Sequence, residues 1–258
     1  MTRPLRFERA NIPVKIAFSR VKSHCQLVLR LTEILDGVHQ VDGVNANSYL
    51  LFDKDGSLIL IDTGMAKDGK KITEYITSKL GRPLSDVRTI VLTHCHMDHS
   101  RGAASLKAST GAKLAVHEAD ADFVSGKALY PSPRGFIGFF FSLLSPFFRV
   151  SPVEPDFRLK ENDIVGQSLL VVHTPGHTPG SIALYDKNRK VVLVGDTLRY
   201  HSGKIEGPPR RFTPDMSQAR QSIQKISQLS FEAMLSGHGQ PLVSPKASDM
   251  VKDAAKSI

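Results

Sequence analysis

Short apolar runs bounded by turn residues recur along the chain from Asn47 onward. Residues 49–52 and 58–61 predict one pair of strands, and residues 182–185 and 191–194 predict another, each pair joined by a polar turn. Apolar runs of this length are typical of strands buried inside a protein. Four more strands are predicted at residues 89–92, 113–116, 169–172 and 231–235.

Segments with helical spacing lie between these strands. Helices are predicted near residues 72–80, 102–109 and 219–229, where apolar side chains recur at intervals of three and four. Strands that alternate with helices, and also form hairpins, predict an α/β fold with mixed sheets covered by helices. Residues 1–30 precede the pattern and are interpreted as an N-terminal extension to a single domain of residues 31–258.

An apolar insertion at about residues 125–150 departs from this pattern. Six of the 13 phenylalanines lie between Phe136 and Phe148, and prolines interrupt the segment, which favours short helical or looped pieces. We interpret residues 130–150 as a cap that receives an apolar part of a small-molecule substrate. A homodimer interface through the Phe136–Phe148 region and an additional piece of core are the alternatives.

Composition and charge narrow the setting of the protein. Two cysteines cannot build a disulfide framework, and no continuous apolar run follows the basic N-terminus, so a reducing, cytoplasmic location is expected. The longest apolar stretch is too short to cross a membrane. The net charge of +9 is compatible with nucleic-acid binding, but the basic residues are scattered, which favours a generally basic surface.

The densest group of chemically capable side chains is THCHMDH at residues 93–99. Imidazole nitrogens and a carboxylate are suitable ligands for zinc, iron or manganese. Alternate side chains of an extended segment point the same way, so His94 and His96 would share one side and Cys95 would face the other. The sequence therefore predicts a metal site directly after a buried strand.

The HxHxDH pattern of residues 94–99 resembles the signature of the metallo-β-lactamase superfamily. Four further motifs stand in the order that the family uses, and the resemblance extends over about residues 32–240. These motifs are IDTG at residues 61–64, TPGHTPGS at 174–181, GDT at 195–197 and SGHG at 236–239.

The resemblance implies a fold and a dinuclear centre. The fold is a four-layer αββα sandwich with two mixed β-sheets. The cofactors are two divalent transition-metal ions, zinc being expected and iron or manganese the alternatives. The implied ligands are His94, His96 and His177 for the first ion, Asp98, His99 and His238 for the second, and Asp196 for both.

The resemblance also implies roles in hydrolysis. A hydroxide that bridges the ions would attack an ester-type carbonyl, and Asp98 would move a proton to the leaving group. Asp62 would orient the ligand loops without binding metal itself. Similar lactonases carry a tyrosine three residues after the shared aspartate, where this chain has Arg199, so Tyr200 is the candidate to contact the substrate carbonyl.

Several substrate classes fit this resemblance. A lactonase-like or esterase-like activity is expected, and a thioesterase similar to glyoxalase II is the first alternative. A nuclease or phosphodiesterase is the second, because Arg199, Lys204, Arg210 and Arg211 follow Asp196 closely. Hydrolysis of β-lactams is expected to be a side activity at most, since true metallo-β-lactamases generally lack a shared aspartate of this kind.

Overall fold

A computed structural model describes residues 33–128 and 152–258 of the chain. The predicted N-terminal extension of residues 1–30, the predicted cap of residues 130–150 and the homodimer region Phe136–Phe148 lie outside these residues, and all three stay predictions. Within the described residues, no helix is long and apolar enough to cross a membrane.

The first sheet has seven strands that lie side by side in chain order. Strands β1 to β4 are antiparallel to their neighbours, whereas β4 to β7 run parallel, so the sheet is mixed. The parallel half requires crossover connections, which helices supply. The strands are β1 (Glu33–Leu35), β2 (Val38–Gln40), β3 (Tyr49–Phe52), β4 (Leu58–Ile61), β5 (Val87–Val91), β6 (Lys113–His117) and β7 (Phe157–Leu159).

The second sheet has six strands in the order β15-β14-β11-β10-β9-β8. Only β11 and β14 are parallel neighbours, and the other pairs are antiparallel. Consequently β9, β11 and β14 run in the same direction and end at the same edge. The strands are β8 (Ile164–Val165), β9 (Leu169–His173), β10 (Ile182–Asp186), β11 (Val191–Gly195), β14 (Ala233–Ser236) and β15 (Leu242–Val243); β12 (Arg199–His201) and β13 (Lys204–Glu206) form a separate hairpin.

Helices cover the outer face of each sheet. A π-helical turn at Tyr75–Lys79 continues α1, and short 3-10 helices lie at Leu84–Asp86 and Arg210–Phe212. The α-helices are α1 (Asp68–Glu74), α2 (Met97–Ser100), α3 (Ala103–Thr110), α4 (Glu118–Val124), α5 (Met216–Ile226) and α6 (Ala247–Ala254).

Alternation along the strands separates three apolar clusters. Leu58 and Leu60 of β4 face an outer cluster with α1, α3 and α4, whereas Ile59 and Ile61 face the inner cluster between the two sheets. Leu184 of β10 belongs to the same inner cluster, and a third cluster lies beneath α5 and α6. The layers are thus helix, sheet, sheet and helix, which confirms the predicted αββα sandwich.

The sequence pattern located most long elements but missed short or late ones. The last predicted strand, 231–235, begins two residues later at Ala233, and Phe231 before it is buried in the third cluster. The hairpin β12–β13 and helix α6 were not predicted. The two strands of the hairpin have only three residues each. Helix α6 buries Ala247 and Val251, which are four residues apart, so its spacing was open to prediction.

Candidate metal centre

Four strand ends supply the predicted ligands. His94 follows β5 of the first sheet, while His177, Asp196 and His238 follow β9, β11 and β14 of the second. Because those three strands end at one edge, the loops after them meet the loop after β5 across the gap between the sheets. A ligand at a strand end has its backbone held rigidly by the sheet, while the loop that follows lets its side chain turn into the site.

Three imidazoles form the first cluster. The rings of His94, His96 and His177 stand edge to face, with centroids 4.5 to 4.9 Å apart. One potential ligand atom from each residue lies within 4.8 Å of the others. His94 and His177 are buried and His96 is half-buried, so the cluster opens to solvent on the side of His96.

Asp98, His99 and His238 form the second cluster. The Asp98 Oδ2 atom lies 3.1 Å from His238 Nε2 and 3.9 Å from His99 Nε2. His99 is fully buried, whereas the side chains of Asp98 and His238 are each 39% exposed. The exposed pair therefore forms the mouth of the site.

Asp196 lies between the two clusters. Its Oδ1 atom is 3.3 Å from His99 Nε2, and its Oδ2 atom is 3.5 Å from both His177 Nε2 and His238 Nε2. No other carboxylate among the described residues contacts imidazoles of both clusters in this way. Gly237 permits this packing, since a Cβ there would lie 2.3 Å from Asp196 Oδ1.

The hydrogen bonding of the centre fits a metal ligand set. Within the described part of the chain, the Nε2 atoms of His94, His99 and His177 and the Oδ1 atom of Asp196 are buried without a hydrogen-bond partner. Buried polar atoms are nearly always satisfied, so four such atoms in one place indicate a site for a bound group. Nitrogen and carboxylate donors in this number suit divalent transition metals.

Charge states in the centre also suit cation binding. Burial lowers the pKa of His94 well below its usual value and that of His177 to about 3, which keeps both rings neutral and their lone pairs available. Burial also lowers the pKa of His99, but Asp196 and Asp62 outweigh it and raise that pKa well above its usual value. The two carboxylates thus favour a positive charge at His99, and a cation bound there would take the place of the proton on the ring.

Asp62 lies behind the centre and contacts the loop after β5. It is fully buried, and its Oδ2 atom accepts hydrogen bonds from His99 Nδ1 at 2.8 Å and Thr93 Oγ1 at 2.7 Å. Its Oδ1 atom accepts from the Thr93 backbone N–H at 2.8 Å. Asp62 has a φ of 58°, a left-handed conformation that aspartate tolerates better than most residues. The hydrogen bond to Nδ1 leaves Nε2 of His99 directed at the cluster.

Two threonines that the sequence analysis did not single out also contact ligand rings. Thr93 Oγ1 lies 3.1 Å from His94 Nδ1, and Thr213 Oγ1 lies 3.2 Å from His177 Nδ1. Such contacts fix ring orientation and tautomer. Thr93 precedes a motif histidine and was open to prediction, whereas Thr213 is 36 residues from His177 and gave no sequence signal.

Tyr200 and Arg199 lie on β12 beside the centre. The Tyr200 side chain packs with Ile205 against the third apolar cluster, and its backbone oxygen accepts from Gln240 N–H. Within residues 33–128 and 152–258, its hydroxyl makes no hydrogen bond to the seven predicted ligands. Arg199 forms an ion pair with Glu206 at 2.6 Å and is not a free cation.

Fold and centre together define a metal-dependent hydrolase. A model of the metallo-β-lactamase superfamily matches residues 41–238, and the chain belongs to that superfamily. The match includes all five motifs on which the resemblance rested, apart from Gly239 at the end of the last one. It confirms the predicted family.

Named relatives agree with this class. The chain is 29% identical over 233 residues to the probable metallo-hydrolase YflN of Bacillus subtilis, covering 81% of this chain and 86% of the relative. It is 28% identical over 226 residues to the acyl-coenzyme A thioesterase MBLAC2 of Homo sapiens, covering 76% and 74%.

Solved structures share the fold. A metallo-β-lactamase family protein from Thermus thermophilus superposes with a TM-score of 0.66 at 23% identity, covering 86% of this chain and 79% of that one. The subclass B3 metallo-β-lactamase BJP-1 of Bradyrhizobium japonicum gives a TM-score of 0.65 at 23% identity, covering 87% and 89%. At this identity the likeness establishes the architecture.

Proposed function

We propose that this protein is a dinuclear hydrolase of carboxylic ester-type bonds, with acyl thioesters as the favoured substrate class and lactones or oxyesters as the second. The observation that carries the hydrolase proposal is the convergence of seven imidazole and carboxylate side chains. Four of their ligand atoms are buried without a hydrogen-bond partner among the described residues. The thioester preference is supported by the thioesterase activity named for the MBLAC2 relative.

The ligand set divides between two positions. His94, His96 and His177 would hold one ion, Asp98, His99 and His238 would hold the other, and Asp196 would contact both. When bound, divalent ions at such a centre supply Lewis acidity toward the carbonyl and a water of lowered pKa. Zinc is the expected metal because its ligand preferences match this set of nitrogens and carboxylates.

Asp98 is proposed to hold and move the proton of the reaction. Burial raises its pKa, but the hydrogen bond to His238 and the nearby His99 outweigh that effect and lower the pKa of Asp98 to about 2. The carboxylate is therefore ionised at neutral pH and a weak base, so that it would pass a proton on to a leaving group rather than keep it. Its partial exposure at the mouth supports this role, because a proton has to pass between the site and solvent.

The nuclease alternative loses one of its supporting residues. Of the four basic residues after Asp196, Arg199 is neutralised by Glu206. Arg210 and Arg211 are exposed on the 3-10 helix that precedes Thr213. They would equally attract the phosphates of an acyl carrier, so charge alone does not favour a polynucleotide.

A substrate panel tests the proposed function. The metal-loaded protein is assayed on acyl-coenzyme A, an acyl-homoserine lactone, bis(p-nitrophenyl) phosphate and a chromogenic β-lactam, with chelator-treated protein as the control. We expect the highest metal-dependent kcat/KM on the thioester. A higher value on the phosphodiester, with strong salt sensitivity, would overturn the carbonyl-ester proposal in favour of the nuclease alternative.

Tyr200 stays a predicted catalytic residue, and its hydroxyl can be tested alone. If it donates to the substrate carbonyl, Tyr200→Phe lowers kcat by about 10²-fold, the usual cost of one lost donor at a developing oxyanion. Metal content should not change. The matched control is Tyr185→Phe, which removes a hydroxyl that donates to the Ser230 carbonyl. Wild-type kcat in Tyr200→Phe would leave Tyr200 with a packing role only.

A further inference from the structure

A second buried carboxylate, Asp120, contacts the loops of the metal centre. It lies in the first turn of α4 and is fully buried. Its Oδ2 atom accepts hydrogen bonds from the Cys95 backbone N–H at 2.8 Å and from Thr178 Oγ1 at 2.7 Å. Its Oδ1 atom accepts from the Gly180 backbone N–H at 2.7 Å. All three donors belong to the two loops that carry histidines of the first cluster.

The donors to Asp120 are neighbours of the first-cluster histidines in the sequence. Cys95 lies between His94 and His96, and Thr178 directly follows His177. One carboxylate group therefore links the segment between His94 and His96 with the loop that follows His177. Because each charge-assisted hydrogen bond is short and buried, small displacements of either loop are costly.

The packing around Asp120 is specific to this arrangement. A Cβ on Gly180 would lie 2.6 Å from both the backbone nitrogen and the Cγ atom of Asp120. A side chain at position 180 would therefore push the loop away from α4. Thr178 is itself fixed by Ser181, whose Oγ atom accepts from the Thr178 backbone N–H at 3.0 Å.

Asp62 and Asp120 support different parts of the centre. The hydrogen bonds of Asp62 reach Thr93 and His99, and so connect the loop after β5 with the second cluster. Those of Asp120 cross from the loop after β5 to the loop after β9. Asp62 therefore contacts the second cluster directly and reaches His94 only through Thr93, whereas the three hydrogen bonds of Asp120 all come from the loops of the first cluster.

We propose that Asp120 is a positioning residue that holds the His94–His96 segment and the His177 loop in register, and so sets the metal affinity of the first cluster. The proposal rests on the metal centre proposed above. It differs from a general stabilising role because it assigns the effect to one of the two metal positions.

The test compares isosteric variants of Asp120 and of an aspartate on the same helix. Asp120→Asn keeps the shape but turns an N–H₂ group toward at least one of the three donors. Asp122→Asn is the matched control, since Asp122 is half exposed and pairs with Arg158 at the surface. Apoprotein of each variant is titrated with Co²⁺, and binding and visible absorption are followed together with thermal stability.

We expect wild-type protein and Asp122→Asn to bind two ions alike. Asp120→Asn should bind one ion with wild-type affinity and the other about 10- to 100-fold more weakly, the usual effect of removing a group that orients metal ligands. Thr178→Val removes one of the three hydrogen bonds and should show a smaller loss at the same position. If Asp120→Asn does not fold, the metal affinities of Thr178→Val test the proposal instead.

Two results would overturn the proposal, and they have different meanings. Wild-type affinity for both ions in Asp120→Asn or in folded Thr178→Val, even with lower thermal stability, would reduce Asp120 to a structural residue. Equal weakening of both ions would reject the assignment to one cluster. Absence of Co²⁺ binding in the wild-type protein would instead reject the metal centre, and this proposal with it.

Discussion

Replacing Asp196 with alanine is expected to lower kcat/KM by at least about 10³-fold, equal to roughly 4 kcal/mol of transition-state stabilisation. Asp196 is the carboxylate that lies within 3.5 Å of imidazoles from both clusters. In the proposed dinuclear centre, the two metal positions would lose their shared ligand, and the positive charges of two ions would face each other with less compensation. Activity should fall on every substrate that the protein accepts.

The control for this variant is an aspartate far from the centre. Asp253→Ala on α6 removes an exposed carboxylate that pairs only with Lys256 among the described residues, and it should retain full activity. Metal content is measured on both variants by elemental analysis. Asp196→Ala protein that holds two ions and keeps more than a tenth of wild-type kcat/KM would contradict a shared ligand at this position.

Replacing Asp62 with alanine should weaken metal binding about 10- to 100-fold and lower the free energy of unfolding by about 3 to 5 kcal/mol. Asp62 is buried and accepts three hydrogen bonds, two of them from Thr93 and one from His99. The alanine variant leaves those donors unsatisfied and frees the His99 ring. Alanine also tolerates the left-handed φ of 58° less well than aspartate.

Denaturant unfolding and metal titration measure the two effects separately. Asp62→Asn is the matched variant, because it keeps the volume and one acceptor oxygen. It should lose less stability than the alanine variant while still weakening the hydrogen bond from His99. Wild-type stability and metal affinity in Asp62→Ala would show that Asp62 supports neither the loop nor the His99 ring.

The strands and the candidate ligands that follow them could be predicted from local patterns, whereas the αββα sandwich and the meeting of those ligands were implied by the resemblance of the motifs. Strands with alternating or continuous apolar residues define the sheets, and His94, Asp196 and His238 each follow such a strand directly. Once β9, β11 and β14 run in one direction, the loops after them must meet at one edge. The convergence of distant motifs therefore follows from the topology of the second sheet. The order of the motifs along the chain, which resembles that of the family, implied this topology.

The supporting contacts could not be predicted in the same way. Asp120 is one of several aspartates near the start of a helix, and only the packing of α4 against two loops distinguishes it. Thr213, which contacts His177, directly follows a 3-10 helix of three residues, and so short a helix has no periodic pattern in the sequence. Such contacts depend on how far each loop extends in three dimensions. The number of residues between two positions in the sequence does not determine that distance.

The stoichiometry of metal binding tests the central claim most directly. Full-length apoprotein is titrated with Zn²⁺ in a calorimeter, and the number of bound ions per chain is read from the inflection points. The dinuclear centre predicts two ions per chain, with binding that depends on Asp196 and on the histidines of both clusters. Saturation at one ion, or no binding at all, would contradict it.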